Sequence, residues 1–280
     1  MVQFGVVLTG FGSMADPDRL RRLARKADQL GFQSLWLYDH VTFPAKIPER
    51  YGKIEFTPET PFLDPIATLS FLAAETKQIR LGTGILLAAL RHPLLVAKSV
   101  ATLDGLSGGR AILGVGLGWV AEEFGALGVP FRQRAGRLRE TVEILRGIWT
   151  SGRLAYAGRY YSFPEMTSYP MPIQVGGPPI WFGAFADPAL KRAAELGDGW
   201  FGAGGKVEKV TKRLTKMREF AREHGKNNFA LGVGCDPGIS PEEVEYFRQA
   251  GATHLNLTCA GEDTAALEAQ LDSAARRLLP

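Results

Sequence analysis

The chain has 280 residues, 45% of them hydrophobic and 22% charged, with a net charge of +4. This composition is typical of a globular protein and excludes collagen-like and disordered chains, while the small, scattered charge surplus disfavours nucleic-acid binding. With two cysteines, no apolar run near the ~18 residues of a membrane span and no secretory signal, we expect a reduced cytoplasmic protein that lacks a disulfide framework.

Short apolar, β-branched runs alternate with segments of helical periodicity along the chain. The predicted strands are residues 4–9, 34–38, 79–86, 111–115, 180–184, 199–203, 229–234 and 254–258. The predicted helices are residues 19–30, 65–76, 93–103, 133–149, 188–196, 207–224, 241–250 and 264–278. Eight strand–helix units predict one α/β domain over residues 1–280, a (β/α)8 TIM barrel. A doubly wound open sheet would suit five or six units better.

Two connections are longer than ordinary loops. They cover residues 39–64 and an insertion of about residues 150–179 before strand five, which contains a predicted hairpin at 154–162. Long loops inside compact domains are commonly functional, so we expect both to contact the substrate.

The end of strand two carries the strongest candidate for acid–base chemistry. Asp39 and His40 follow directly after the strand, where a TIM barrel places its active site. A structural histidine that caps the loop is an equally good reading of this position. His92, His224 and His254 are weaker candidates, and no pair of histidines has metal-ligand spacing, which disfavours metal catalysis.

Glycine is in excess, with 33 residues, and many of them fall at predicted strand ends. Gly84 lies at the end of strand three, and Gly116 and Gly118 follow strand four, where backbone can approach a flat ligand closely. Gly116, Gly118 and Ala121 match a dinucleotide-binding pattern, but no compact βαβ unit follows, so we reject it.

Two further patterns in the sequence depend on the elements that flank them. Residues 183–188 lead into a helix whose free N–H groups could hold a phosphate, although Asp187 also fits a simple N-cap. Ser107 lies in a GxSxG pattern, but there a helix precedes and a strand follows. This order is the reverse of a nucleophile elbow, so hydrolase chemistry has no support.

Four segments carry a resemblance to a known family. They are LWLYDH (35–40), FLDPIATLSFLAAETKQIRLGTGILL (62–87), RHPLLVAKSVATLDGLSGGRAILGVGLGWVAEEFGALGVPF (91–131) and LKRAAELGDGW (190–200). Together they resemble the luciferase-like monooxygenase superfamily, and most closely its branch that uses the deazaflavin F420. The resemblance covers residues 1 to about 200, and the remainder matches only in its rhythm of strands and helices.

The resemblance implies a TIM barrel that holds a deazaflavin or flavin ring at its mouth, with a cis peptide bond between Gly84 and Ile85. It implies that His40 is the catalytic residue, which takes a proton from an alcohol or stabilises the transferred charge. The residues that it implies bind the cofactor are Asp39, Gly84, Ile85, Gly116, Leu117, Gly118, Glu122, Gly183, Ala184, Phe185, Ala186 and Asp187. The last five match the loop that binds the cofactor phosphate.

The chain departs from the family pattern at two places. The family often has two glycines at 183–184, where this chain has Gly183 and Ala184, and some relatives have a carboxylate where this chain has Trp119. Oxidation of a sugar phosphate is therefore not implied.

The first hypothesis is an F420-dependent oxidoreductase that acts on a small organic molecule. The alternatives are an FMN-dependent monooxygenase fed by a separate reductase, and a non-catalytic flavin-binding relative. A homodimer is implied by the family alone.

Overall fold

Eight parallel strands close into a barrel in the computed structural model, which describes residues 2–54 and 56–279. The barrel strands are β1 (Gln3–Val7), β2 (Ser34–Leu37), β3 (Arg80–Thr83), β4 (Ala111–Val115), β7 (Ile180–Phe182), β8 (Gly199–Gly202), β9 (Ala230–Cys235) and β10 (His254–Thr258). Each strand pairs with its sequence neighbour among these eight, and β1 closes the barrel on β10. The predicted TIM barrel is confirmed.

Helices follow the strands and cover the outside of the barrel. They are α1 (Pro17–Leu30), α2 (Pro65–Glu75), α3 (Pro93–Ser107), α4 (Ala121–Ala126), α5 (Arg134–Ser151), α6 (Asp187–Leu196), α7 (Val207–Glu223), α8 (Pro241–Ala250) and α9 (Thr264–Leu278). The short α4 was not predicted. Among the helices of the described residues, none has the length and apolar character needed to cross a membrane.

Local chemistry fixes where several helices begin and end. The side chains of Asp16, Asp64 and Ser240 cap the first turns of α1, α2 and α8, and each of these helices has a proline in its first turn. Gly31 and Gly108 end α1 and α3 with positive φ angles of 88° and 68°, a conformation that favours glycine.

Aromatic side chains fill the centre of the barrel. Trp36, Trp181 and Phe201 are buried and pack together with Val7 and Ile112. The ring of Trp36 occupies the space beside Gly82. A Cβ atom on residue 82 would lie 2.4 Å from the indole. Phe201 lies at the upper side of this cluster and lines the cavity described below.

The insertion before β7 forms the predicted hairpin, with antiparallel strands β5 (Arg153–Ala157) and β6 (Ser162–Thr167). The buried carboxylate of Glu140 on α5 accepts backbone N–H groups at the hairpin turn, including that of Arg159 at 2.8 Å. Gln174 then binds Asp104, near the carboxyl end of α3. The insertion thus packs along α5 and reaches the end of the barrel at which the carboxyl ends of the helices lie.

Candidate active site

A cavity of about 690 Å³ opens where the carboxyl ends of the barrel strands meet. Most of the predicted site residues line it, namely Asp39, His40, Gly84, Ile85, Leu117, Gly118, Gly183, Ala184, Phe185 and Ala186. Gly116, Glu122 and Asp187 do not line it. The loop 39–64 contributes to the wall, whereas no residue of 150–179 lines the cavity, so the cavity gives no support to the expectation that the insertion contacts the substrate. The insertion is held away from the cavity by its contacts with α5 and α3.

His40 is held by a carboxylate that sequence reasoning missed. Its Nδ1 lies 3.0 Å from Oε2 of Glu123, whose side chain is fully buried, while the imidazole is 10% exposed. A carboxylate accepts hydrogen bonds, so the proton on this side of the ring resides on Nδ1. Nε2 is then the nitrogen left to exchange a proton with a ligand.

Glu123 is itself fixed by the backbone that follows His40. Its Oε1 accepts the N–H of Val41 at 2.6 Å and that of Thr42 at 3.3 Å. The carboxylate therefore joins the end of β2 to α4, and His40 cannot turn without losing it. The sequence signal for Glu123 is the pair of consecutive glutamates, Glu122 and Glu123, that follows the glycines at 114, 116 and 118. The sequence does not indicate which of the two faces inward.

Glu122, the glutamate named in the sequence analysis, points elsewhere. Its carboxylate accepts hydrogen bonds from Tyr51, at 2.7 Å, and from Arg50. The bond from Tyr51 is the main reason that its pKa is lowered. Adjacent helical residues point about 100° apart, so only one of the two glutamates can face His40. Glu122 does not line the cavity, so the cavity gives no support to its predicted place beside the cofactor.

The side chain of Asp39 is occupied by the protein. Its carboxylate is fully buried and accepts two hydrogen bonds from Arg91, at 2.6 and 2.9 Å, and the N–H of Leu87 at 2.8 Å. Arg91 also reaches Asp64, at 3.2 Å. One guanidinium therefore ties together the two ends of the loop 39–64, which carries part of the cavity wall.

The backbone at Gly84 and Ile85 forms another part of the wall, and the bond between them is cis, as expected. The side chain of Ile85 lies in a slot left open by two glycines. A Cβ atom on Gly116 would lie 1.8 Å from Cδ1 of Ile85, and one on Gly183 would lie 2.9 Å from its Cγ2. Gly116 thus packs against Ile85 behind the wall and does not itself line the cavity.

The segment 183–187 runs from the cavity into α6. The residue before the helix is Ala186, whose side chain cannot cap it, and Asp187 is the first helical residue, so Asp187 is not the N-cap. Within the described residues, the backbone N–H groups of 184–187 have no hydrogen-bond acceptor. Asp187 forms an ion pair with Lys216 of α7, which neutralises the carboxylate nearest to these groups.

Arg134, at the start of α5, also lines the cavity and was not predicted. Its guanidinium lies 3.7 Å from the centre of the Phe131 ring and donates one hydrogen bond to the carbonyl of Phe131. Its Nε is buried and has no hydrogen-bond partner in the described part of the chain. Burial lowers its pKa, but an arginine keeps its charge at neutral pH, so the guanidinium is a cation at the cavity wall.

The other histidines lie away from the cavity. His92 caps α3, and Nδ1 of His224 contacts the carbonyl of Phe220. His254 begins β10 at the opposite end of the barrel, where burial lowers its pKa to about 4. Ser107 ends α3 and accepts the N–H of Arg110, which agrees with the rejection of a hydrolase site.

Comparisons with known proteins agree with this fold. The chain is 34% identical over 194 residues to an F420-dependent glucose-6-phosphate dehydrogenase of Kineococcus radiotolerans, an alignment that covers 68% of this chain and 53% of that relative.

The fold is shared with solved structures, including the following three. Monooxygenase RslO1 of Streptomyces bottropensis is 22% identical, with a TM-score of 0.83 over 100% of this chain and 99% of that one. The F420-dependent tetrahydromethanopterin reductase of Methanopyrus kandleri is 21% identical, with a TM-score of 0.80 over 100% and 99%. The FMN complex of the oxygenating constituent of 3,6-diketocamphane monooxygenase from Pseudomonas putida is 18% identical, with a TM-score of 0.65 over 84% and 67%.

A closed parallel barrel with a histidine–carboxylate pair at its mouth defines a TIM-barrel enzyme. A sequence profile of the luciferase-like monooxygenases matches residues 2–276. The chain belongs to the luciferase-like monooxygenase family and is an oxidoreductase.

Proposed function

We propose that this protein is an F420-dependent oxidoreductase that moves a hydride between the deazaflavin F420 and a small organic substrate. The observation that carries the proposal is His40, whose Nδ1 is bound by Glu123 and whose other ring nitrogen is left for the cavity. The identity of 34% to an F420-dependent glucose-6-phosphate dehydrogenase supports a deazaflavin or flavin cofactor.

The residues around the cavity fit such a cofactor in two ways. Gly84, Gly183 and Ile85 present backbone and small surfaces to the cavity, which suits a flat, uncharged ring. The unpartnered Nε of Arg134 and the free N–H groups of 184–187 offer donors to an anionic tail. When bound, F420 supplies a carbon that accepts or gives a hydride.

His40 performs the proton transfer in this proposal. With its proton on Nδ1, Nε2 takes the hydroxyl proton of an alcohol during oxidation, and the charged ring returns it during reduction. Glu123 holds the ring in this orientation and stabilises the imidazolium that forms. Asp39 and Glu123 are positioning residues, because their carboxylates contact protein groups.

The alternative is a monooxygenase that uses reduced FMN from a separate reductase. It is favoured by the fold shared with RslO1 and with the FMN-bound oxygenating constituent from Pseudomonas putida. A homodimer remains an expectation for either function.

Fluorescence titration of the purified protein, with F420 and FMN separately, tests the proposal. We expect saturable F420 binding and no FMN binding. FMN binding without F420 binding would contradict the proposal and favour the monooxygenase, and binding of neither would favour a non-catalytic relative. Arg134→Gln should weaken F420 binding by about tenfold or more, since a charged hydrogen bond contributes ~1.5–3 kcal/mol. Arg132→Gln, an equal loss of charge at an exposed neighbour, should leave it unchanged.

A further inference from the structure

Four aromatic side chains form one side of the cavity beside His40. We call Phe11, Phe56, Phe62 and Trp119 the aromatic wall, and all four line the cavity. Phe62 is at its centre, with its ring centroid 4.7 Å from that of Phe11 and 5.1 Å from that of Phe56.

The aromatic wall continues onto the reactive histidine. The imidazole of His40 meets Phe62 edge to face at 5.7 Å and Trp119 edge to face at 5.6 Å between centroids. A molecule that reaches Nε2 of His40 therefore lies against these rings. Trp119 is 40% exposed and forms the outer part of the wall, where a ligand can cover it.

Among the residues that the structure describes, the carboxylates near the aromatic wall are paired within the protein. Asp39 is bound by Arg91, Glu123 by His40, and Glu122 by Tyr51 and Arg50. Among the described residues that line the cavity, Arg134 is the one Lys or Arg. Its guanidinium packs on the ring of Phe131 and donates a hydrogen bond to the carbonyl of Phe131. Phe131 is not part of the aromatic wall, so the partner of this charge lies outside it.

The remaining polar side chains among the described residues that line this part of the cavity are neutral. Burial raises the pKa of the Tyr38 hydroxyl, so it stays a phenol at neutral pH. A phosphate or carboxylate placed against the aromatic wall would lose its hydration without gaining a cationic partner. An apolar ring would instead gain stacking contacts and burial.

We propose that the aromatic wall selects an uncharged substrate with an apolar ring and a secondary alcohol or ketone group, which places the oxygen at Nε2 of His40. The reaction class rests on the proposed function. In oxidation, the carbinol C–H bond breaks and its two electrons leave with the hydrogen as a hydride to the oxidised deazaflavin. The O–H proton passes to His40, and the C=O double bond forms. Reduction of the ketone reverses each transfer.

Calorimetric titration with acetophenone and with glucose 6-phosphate tests the substrate class. The titrations use protein saturated with whichever of F420 or FMN it binds, and cofactor-free protein if it binds neither. We expect acetophenone to bind and glucose 6-phosphate neither to bind nor to displace it. Tighter binding of glucose 6-phosphate, or no binding of acetophenone, would overturn the proposal. The cofactor titration and the ligand titrations are separate measurements. FMN binding would therefore refute the proposed function, while the titrations with acetophenone and glucose 6-phosphate would still test the substrate class.

Variants then locate the binding site. Trp119→Ala should weaken acetophenone binding by about tenfold, because the ring loses an aromatic partner and buried area. Tyr246→Ala provides the matched control, since Tyr246 is 49% exposed on α8 and does not line the cavity. Equal acetophenone affinity in Trp119→Ala and wild type would place the ligand elsewhere and overturn the proposal.

Discussion

The imidazole of His40 has a carboxylate partner in Glu123, and that contact decides which ring nitrogen can exchange a proton with a ligand. Glu123 accepts from Nδ1 and from two backbone N–H groups, so its position depends on the chain as well as on the ring. An acceptor at Nδ1 keeps the neutral ring in the tautomer whose Nε2 is a base.

Glu123→Gln should lower kcat by about 10²- to 10⁴-fold with a smaller change in KM. The glutamine oxygen can still accept the N–H of Val41, but its NH2 group then faces Nδ1 and favours a proton on Nε2. Nitrogen NMR of the histidine ring reports the tautomer directly, and the kinetic assay reports the rate.

The control for Glu123→Gln is Glu140→Gln. Glu140 is also a buried carboxylate that accepts backbone N–H groups, but it holds the hairpin outside the cavity. It should lower the free energy of unfolding without changing the tautomer of His40 or kcat. If both variants lose kcat equally, Glu123 acts through stability alone.

At this scale the sequence predicted residues that follow directly from strand ends. Asp39 and His40 were found because β2 ends just before them. Glu123 and Arg134 were not found, since their roles depend on contacts across the fold with His40 and with the cavity. Helix phase alone separates Glu122 from Glu123, and α4 was absent from the predicted elements.

The wall that ends β3 depends on a fit between one side chain and two glycines on neighbouring strands. Ile85 fills the slot beside Gly116 and Gly183, which brings the backbone of Gly84 and Ile85 to the cavity. Crowding in this slot should therefore move the cavity wall while the barrel persists.

Gly116→Ala should weaken cofactor binding by about tenfold. The new Cβ would overlap Cδ1 of Ile85, and overpacking typically costs ~1–3 kcal/mol. The dissociation constant from fluorescence titration is the measurement.

A second substitution tests the reason for that effect. Ile85→Val removes the Cδ1 atom, so the double variant Gly116→Ala/Ile85→Val should recover most of the cofactor affinity. Additive losses in the double variant would show that the slot is not the cause.

Periodicity predicted the order of the elements well and their ends less well. The run 79–86 was predicted as one strand, but β3 ends at Thr83, where the chain turns to form the cavity wall. Helix α4 escaped prediction because it has six residues and Val120 gives no side-chain cap. Hydrophobic spacing contains no information on either feature.

The whole molecule separates chemistry from stability at the two ends of the barrel. The strand ends with His40 form the cavity, whereas His254 lies at the start of β10 against Trp181, at 4.8 Å between ring centroids. Burial, with a smaller contribution from the charge of Arg80, lowers the pKa of His254 to about 4. Its folded pKa is therefore below the unfolded value of ~6.5.

This difference predicts a loss of stability in acid. Because the unfolded chain binds the proton more tightly, the contribution is complete above pH ~6.5 and is lost as pH falls towards 4. It amounts to about 3 kcal/mol. His254→Phe keeps a ring against Trp181 and removes the titration. Urea unfolding at neutral pH and near pH 4.5 should show a smaller loss for the variant. Equal losses in variant and wild type would contradict the assignment.

The barrel itself could be predicted because eight alternating units leave few other ways to bury their apolar strands. The position of the insertion could not, since it depends on Glu140 and Gln174, whose partners lie distant in sequence. The hydrogen bonds of these two residues thus help to hold the insertion along α5 and α3.

The split between binding and turnover in His40→Ala tests the central claim most directly. The account predicts that this variant binds F420 with the wild-type dissociation constant and transfers hydride about 10²- to 10⁴-fold more slowly, because the proton acceptor is gone while the cofactor contacts remain. The account would be contradicted if His40→Ala kept the wild-type turnover and the reaction still required another acidic or basic group of the cavity.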